Sequence, residues 1–128
     1  MPKAPDAETD LDCVLRTTFA CNQRCAFCFV ALTGRRTEIP EIERQLDSLV
    51  RHRGPGVELT LSGGEPASDR RLIDIVALAR RRGFRRFELQ TNGVFLSRPG
   101  LLDGLIRLGV RGYMVSFHSH RPALYDRR

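Results

Sequence analysis

The sequence predicts an α/β fold of about four parallel strands joined by about three helices. Three observations predict it. Short β-branched or alternating runs take turns with apolar stripes of helical period. The second and third strands are apolar on one face and polar on the other. Helices then cover one face, and the other lines a polar, ligand-filled interior or meets solvent in an open two-layer domain. Finally, the residues suited to chemistry all follow directly after strands, the end at which parallel sheets and barrels carry their sites.

The elements follow in order. Residues 1–10, MPKAPDAETD, have no apolar core. The 1–12 segment therefore reads as a disordered tail, neither signal peptide nor anchor, and 13–128 as the folded domain. Cys13-Val14-Leu15-Arg16-Thr17-Thr18 is the first strand. Residues 31–38 are polar, with Gly34, and make a loop. Pro40 suits the first turn of a helix. Ile42, Leu46, Leu49 and Val50 form its stripe, and it stops after Arg53 at Gly54-Pro55-Gly56. The second strand, 57–61, sets Val57, Leu59 and Leu61 against Glu58, Thr60 and Ser62. Ser68 or Asp69 caps the second helix. Leu72, Ile75, Val76 and Ala79 are its buried stripe, and Gly83 ends it in the left-handed region. The third strand sets Phe87 and Leu89 against Glu88 and Gln90. The third helix starts at 97–99, buries Leu101, Leu102, Leu105 and Leu108, and ends at Gly109. The fourth strand occupies 113–117.

A chain of 128 residues is one domain at most. A hydrophobic content of 41% with 28% charged residues is ordinary for a globular protein. No apolar run approaches the length of a membrane span, so no membrane partner is expected. The formal charge is +6, carried by arginine except for Lys3. Binding to RNA or another polyanion is one reading of it; solvated helix faces are the plainer one. The densest run, Arg80, Arg81 and Arg82 before Gly83, suits the negative end of a helix dipole.

CNQRCAFC places Cys21, Cys25 and Cys28 in one short stretch. Without a secretion signal, thiols this close are metal ligands rather than disulfide halves, in a reducing cytoplasm. Structural zinc and ordinary electron-carrying clusters take four protein ligands. A 4Fe-4S cluster on three cysteines leaves one iron open for a substrate or cofactor. The fourth cysteine, Cys13, begins the first strand, about 16 Å of extended chain from the loop at the strand's other end. It reads as a small buried residue at the bottom of the sheet.

The CxxxCxxC stretch with Phe27 before its last cysteine resembles the signature of the radical S-adenosylmethionine (radical SAM) enzymes. Gly63-Gly64-Glu65-Pro66 looks like that family's GGEP motif after the second strand, and Gln90-Thr91-Asn92-Gly93 resembles its TNG stretch after the third. The resemblance runs from Cys13 to Phe117. It implies a partial barrel of six βα units, of which this chain supplies the N-terminal portion. The missing C-terminal portion of a longer protein, or a second chain, would complete it.

The resemblance also implies the cofactors, a 4Fe-4S cluster on Cys21, Cys25 and Cys28 with S-adenosylmethionine on its open iron. Reductive cleavage would yield a 5′-deoxyadenosyl radical that abstracts hydrogen from a substrate. An external donor such as a flavodoxin or ferredoxin would supply the electron. The substrate is open among a peptide or protein, a small molecule and RNA, with the first preferred. Phe27 would lie near the adenine. Gly63 and Gly64 would let the backbone approach the methionine end, with Glu65 near its ammonium group and Pro66 among the cofactor-binding residues. Ser116 matches the position of a ribose contact. Asn92 is a cofactor or substrate contact, or else a turn residue before Gly93. His118 and His120 are acid–base groups or surface residues. Two other readings stand beside this one. One is a non-catalytic cluster-binding module for electron transfer or assembly. The other is a basic zinc module for nucleic acid, against which GGEP and the βα alternation speak.

Overall fold

The structure is a computed structural model and describes residues 13–20 and 33–116. The elements are β1 (Val14–Thr18), α1 (Ile39–Arg53), β2 (Glu58–Gly63), α2 (Leu72–Arg81), β3 (Arg86–Thr91), α3 (Leu101–Arg107) and β4 (Val110–Val115). Short 3-10 turns, Pro66–Ser68 and Val94–Ser97, follow β2 and β3. The strands pair in the order β1-β2-β3-β4, all parallel.

Helix α1 begins with Pro40 in its first turn and ends with Arg51, His52 and Arg53 in its last. Gly54, at φ +78°, turns the chain away. Ile42 and Leu46 are fully buried, and Leu49 and Val50 pack against the same core. Helix α2 buries Leu72, Ile75, Val76, Leu78 and Ala79. Gly83 follows at φ +102°, and the Phe84 N–H donates to the Ala79 carbonyl at 3.2 Å. That return drops Phe84 into the core.

The strands supply the opposite wall of this core. Leu15, Leu59, Leu61, Phe87, Leu89 and Val110 are all buried. Their neighbours on the other face are polar: Glu58 and Arg86 are exposed, and Thr60, Ser62, Glu88 and Gln90 are half-buried. No helix covers that face among the described residues, and β4 does not pair with β1. The expected division into one covered and one polar face is therefore present. These four strands by themselves make an open sheet rather than an enclosed interior. On the open face the Ser62 hydroxyl donates to Gln90 Oε1 at 3.1 Å. Burial, and then the charge of and a hydrogen bond with Glu58, push the Glu88 carboxyl above its ordinary range.

Several boundaries differ from the expectation, β2 among them, which runs Glu58–Gly63 rather than 57–61. β4 starts at Val110 and ends at Val115, not 113–117. Gly109, at φ +94°, ends the turn after α3, and Val110 enters the sheet at once, fully buried and paired with Phe87. Gly112 pairs with Glu88, and an added Cβ there would lie 3.2 Å from its Cγ. Pairing thus brings the weak strand former Gly112 into the ladder. Helix α3 starts at Leu101, because Gly100 at φ +80° separates it from the 3-10 turn before it. Leu101 and Leu105 are buried on α3, while Leu102 is exposed. Neither Ser68 nor Asp69 is the side-chain cap of α2. Its N-cap is Arg71, without a side-chain bond, and Asp69 instead caps the preceding turn by accepting the Arg71 N–H at 2.9 Å.

Candidate functional site

The ends of all four strands meet at one rim. β1 reaches it through Thr18, Phe19 and Ala20. The Phe19 N–H donates to the Arg35 carbonyl at 2.7 Å, and the Gly34 N–H returns to the Phe19 carbonyl at 3.2 Å. Thr18 and Arg36 form an antiparallel bridge, and the Thr37 N–H donates to the Thr17 carbonyl at 3.0 Å. The stretches before and after residues 21–32 are therefore tied together at their base. Cys21, Cys25, Cys28 and Phe27 lie outside the described residues, as do Phe117, His118 and His120. Cys13 is buried at the start of β1, the end away from the rim, and its carbonyl accepts the Thr60 N–H at 2.8 Å.

The base has a second tie that the sequence does not announce. Asp69 is buried, and both its oxygens accept the Arg71 guanidinium, the shortest contact being 2.7 Å. Arg71 also donates to the Thr37 carbonyl at 2.9 Å and the Thr17 carbonyl at 3.3 Å. Burial opposes the Asp69 charge, but the hydrogen bonds and charge of Arg71, with Arg36, outweigh it and hold its pKa below the ordinary carboxylate value. A carboxyl depressed in the folded state contributes stability above its unfolded pKa and loses it as pH falls through the folded one. Asp69→Asn is therefore expected to cost about 2 kcal/mol at neutral pH. The difference from wild type should shrink in urea titrations repeated below the usual carboxylate range.

Gly63, Gly64 and Glu65 leave β2 along β1. The Gly64 N–H donates to the Thr18 carbonyl and the Glu65 N–H to the Ala20 carbonyl, each at 2.8 Å. Glu65 is 1% exposed. Its carboxylate accepts the Ala67 N–H at 2.9 Å, the Asn92 N–H at 2.5 Å and the Thr91 hydroxyl at 2.8–2.9 Å. It therefore joins the exit of β2 to the exit of β3. Pro66 is buried in the turn that follows. Asn92 Oδ1 accepts the Val94 N–H at 3.1 Å, the turn role weighed for it. Ser116 is exposed beyond β4, and its N–H donates to the Thr91 carbonyl at 2.9 Å.

The structure so brings together Gly63, Gly64, Glu65, Pro66, Asn92 and Ser116. Sequence reading missed Thr18, Asp69, Arg71 and Thr91 as members of this rim. Arg71 reaches partners 34 and 54 positions away, a separation no local pattern reports. The sequence's three thiols, whose described flanking residues sit at this rim, are a donor set that suits a cluster with one open iron. The Gly64 and Glu65 amides are already taken by β1, so a cofactor there would meet other groups.

The chain resembles known proteins over most of its length. It is 30% identical over 116 residues to 7,8-dihydro-6-hydroxymethylpterin dimethyltransferase of Methanocaldococcus jannaschii, covering 86% of this chain and 23% of that protein. It is 34% identical over 108 residues to a probable GTP 3′,8-cyclase of Thermoplasma volcanium, covering 82% of this chain and 31% of that one. The chain thus spans about a quarter to a third of these curated relatives. The crystal structure of SeMet BtrN in an open conformation has a similar fold, with a TM-score of 0.66 at 21% identity over 88% of this chain and 52% of that one. No helix among the described residues is long and apolar enough to cross a membrane. The family model described as Radical SAM superfamily matches residues 15–128, and with four parallel strands presenting GGEP, Asn92 and the base of the cysteine loop at one rim, the chain belongs to that superfamily.

Proposed function

We propose that this chain is the cluster- and cofactor-binding N-terminal portion of a radical SAM enzyme, with a tail at 1–12 and the core domain from 13. The observation that carries it is the stitching of Gly64 and Glu65 to Thr18 and Ala20, which supports one composite site for the cysteine loop and GGEP. Cys21, Cys25 and Cys28 are the proposed ligands of a 4Fe-4S cluster, and Phe27, Gly63, Gly64, Glu65, Pro66, Asn92 and Ser116 the proposed surroundings of S-adenosylmethionine. When bound and reduced, that pair supplies cleavage of the sulfonium to methionine and a 5′-deoxyadenosyl radical that takes hydrogen from substrate.

The chain's own residues position and enclose. Glu65 holds the β2 and β3 exits at a constant separation through Ala67, Thr91 and Asn92. Arg71 and Asp69 hold the base of the cysteine loop. Ser116, exposed at the rim beside Thr91, is free in space to meet a ribose hydroxyl. The electron comes from a flavodoxin- or ferredoxin-like donor in a reducing cytoplasm. The relatives' names, a pterin dimethyltransferase and a GTP cyclase, favour a small nitrogen heterocycle as substrate over the peptide expected from the motifs.

The test is anaerobic. The chain is reconstituted with iron and sulfide, reduced, given S-adenosylmethionine, and assayed for 5′-deoxyadenosine against Cys25→Ala. Product above the control is the expected result. A brown protein without product would favour the second reading, a cluster-binding module that does not process cofactor. The open sheet and the partial span of the relatives are what keep that reading in play.

A further inference from the structure

The two glycines of GGEP answer to the chain itself before they answer to any ligand. A Cβ built on Gly63 would fall within 3.0 Å of the Thr18 carbonyl oxygen, and one on Gly64 within 3.0 Å of the Ala20 carbonyl oxygen and carbon. Real Cβ atoms do not approach so closely, and both obstacles are backbone, which cannot swing aside. Gly63 also sits at φ +143°, outside the range of ordinary L residues. The space a side chain would fill is therefore occupied by the end of β1.

β1 bends to make this contact. Arg16 pairs with Ser62 but Thr18 pairs with Gly63, so Thr17 is an extra residue in the ladder. Beyond this bulge, besides the Phe19 bonds to Gly34 and Arg35, three hydrogen bonds hold Thr18 and Ala20. The Thr18 carbonyl accepts from Gly64, the Ala20 carbonyl accepts from Glu65, and the Thr18 hydroxyl accepts the Ala20 N–H at 3.1 Å. Thr18 is 1% exposed, so its hydroxyl is committed to this turn rather than to solvent. Ala20 immediately precedes Cys21.

We infer that Gly63, Gly64 and Thr18 are positioning residues for the cluster: they fix the backbone that delivers the first cysteine. The inference rests on the proposed cluster-binding function and assigns these residues a task that precedes cofactor binding. Glycines serving only the cofactor would, when replaced, weaken S-adenosylmethionine binding and leave the cofactor-free cluster unaltered. Positioning residues change the cluster before any cofactor is added.

The experiment compares wild type, Gly64→Ala, Thr18→Val and Thr18→Ser. Circular dichroism and thermal melts of the metal-free chains establish folding. After anaerobic reconstitution, iron per chain, the rate of iron loss to a chelator and the electron paramagnetic resonance spectrum of the reduced, cofactor-free cluster are measured. Gly64→Ala is expected to bind several-fold less iron or to shift the cofactor-free spectrum. Thr18→Val, which keeps the shape but removes the acceptor for the Ala20 N–H, is expected to lose iron about fivefold to tenfold faster. Thr18→Ser restores the hydroxyl and should behave as wild type. If Gly64→Ala fails to fold, the Thr18 pair decides. Folded variants with wild-type iron content, chelator resistance and cofactor-free spectrum would overturn the inference, even if their cofactor affinity fell. A wild-type chain that takes up no cluster would overturn the functional reading beneath it.

Discussion

Replacing Cys21, Cys25 or Cys28 with alanine is expected to reduce bound iron and sulfide to background, while Cys13→Ala keeps a full cluster. The thiolates act as a set. With one removed, two irons lack protein ligands, and the two remaining thiolates cannot hold the cluster against loss to water. Stepwise weakening is therefore not expected; any of the three substitutions should bleach the reconstituted chain. Cys13 differs by position. It is buried at the start of β1, with the length of that strand between it and Ala20. Its loss removes one small buried group, worth about 1 kcal/mol of stability. Iron and sulfide analysis with the visible absorption of each reconstituted variant makes the comparison. A colourless Cys13→Ala that is folded would sink the placement of that residue.

The second large effect is expected at Glu65. Its buried carboxylate is the acceptor for two backbone amides and a threonine hydroxyl, of which only the Asn92 amide is part-buried. Glu65→Ala strands those donors without water to replace it. A penalty of about 3–5 kcal/mol follows, since each orphaned buried donor costs roughly 1–3 kcal/mol and partial relaxation recovers some of it. Glu65→Gln keeps one oxygen but turns an NH2 group toward donors, and should cost about 1–3 kcal/mol. Thr91→Val removes a donor to the carboxylate and the acceptor of the Gly93 N–H at 3.1 Å but leaves the carboxylate both amides, so it should be the mildest, about 1–2 kcal/mol. Urea unfolding of the metal-free chains gives the order. If Glu65→Ala unfolds at the wild-type midpoint, the carboxylate does not hold the β2 and β3 exits together.

Local signals gave away most of the architecture. Pro40 and Gly54 bracket α1, and Gly83 ends α2, because helix ends have requirements that single residues meet. The alternation of Leu59 and Leu61 with Thr60 and Ser62 set which face of β2 is buried, since the strand period admits only two choices. The convergence of the motifs on one rim followed from the direction of parallel strands alone. What failed were boundaries decided between elements. Leu102 satisfies a helical stripe but points outward on α3, a short helix whose start is set by Gly100. Val110 joins the sheet because Phe87 is there to pair with it.

The sequence by itself determined the family, the order of strands and helices, and the residue types at the rim, for these depend on spacing along the chain. Only the tertiary structure decided what each rim residue does. Gly63 and Gly64 look like a ligand cradle in sequence, and in space they make room for Thr18 and Ala20. Glu65 looks like an open anion and is a buried staple between strand ends. Asp69 looks like a helix cap in sequence, and in space it holds Arg71, which reaches the Thr37 carbonyl at the base of the cysteine stretch. In each case the partner lies on another element, and a buried polar group takes its role from the partner that satisfies it.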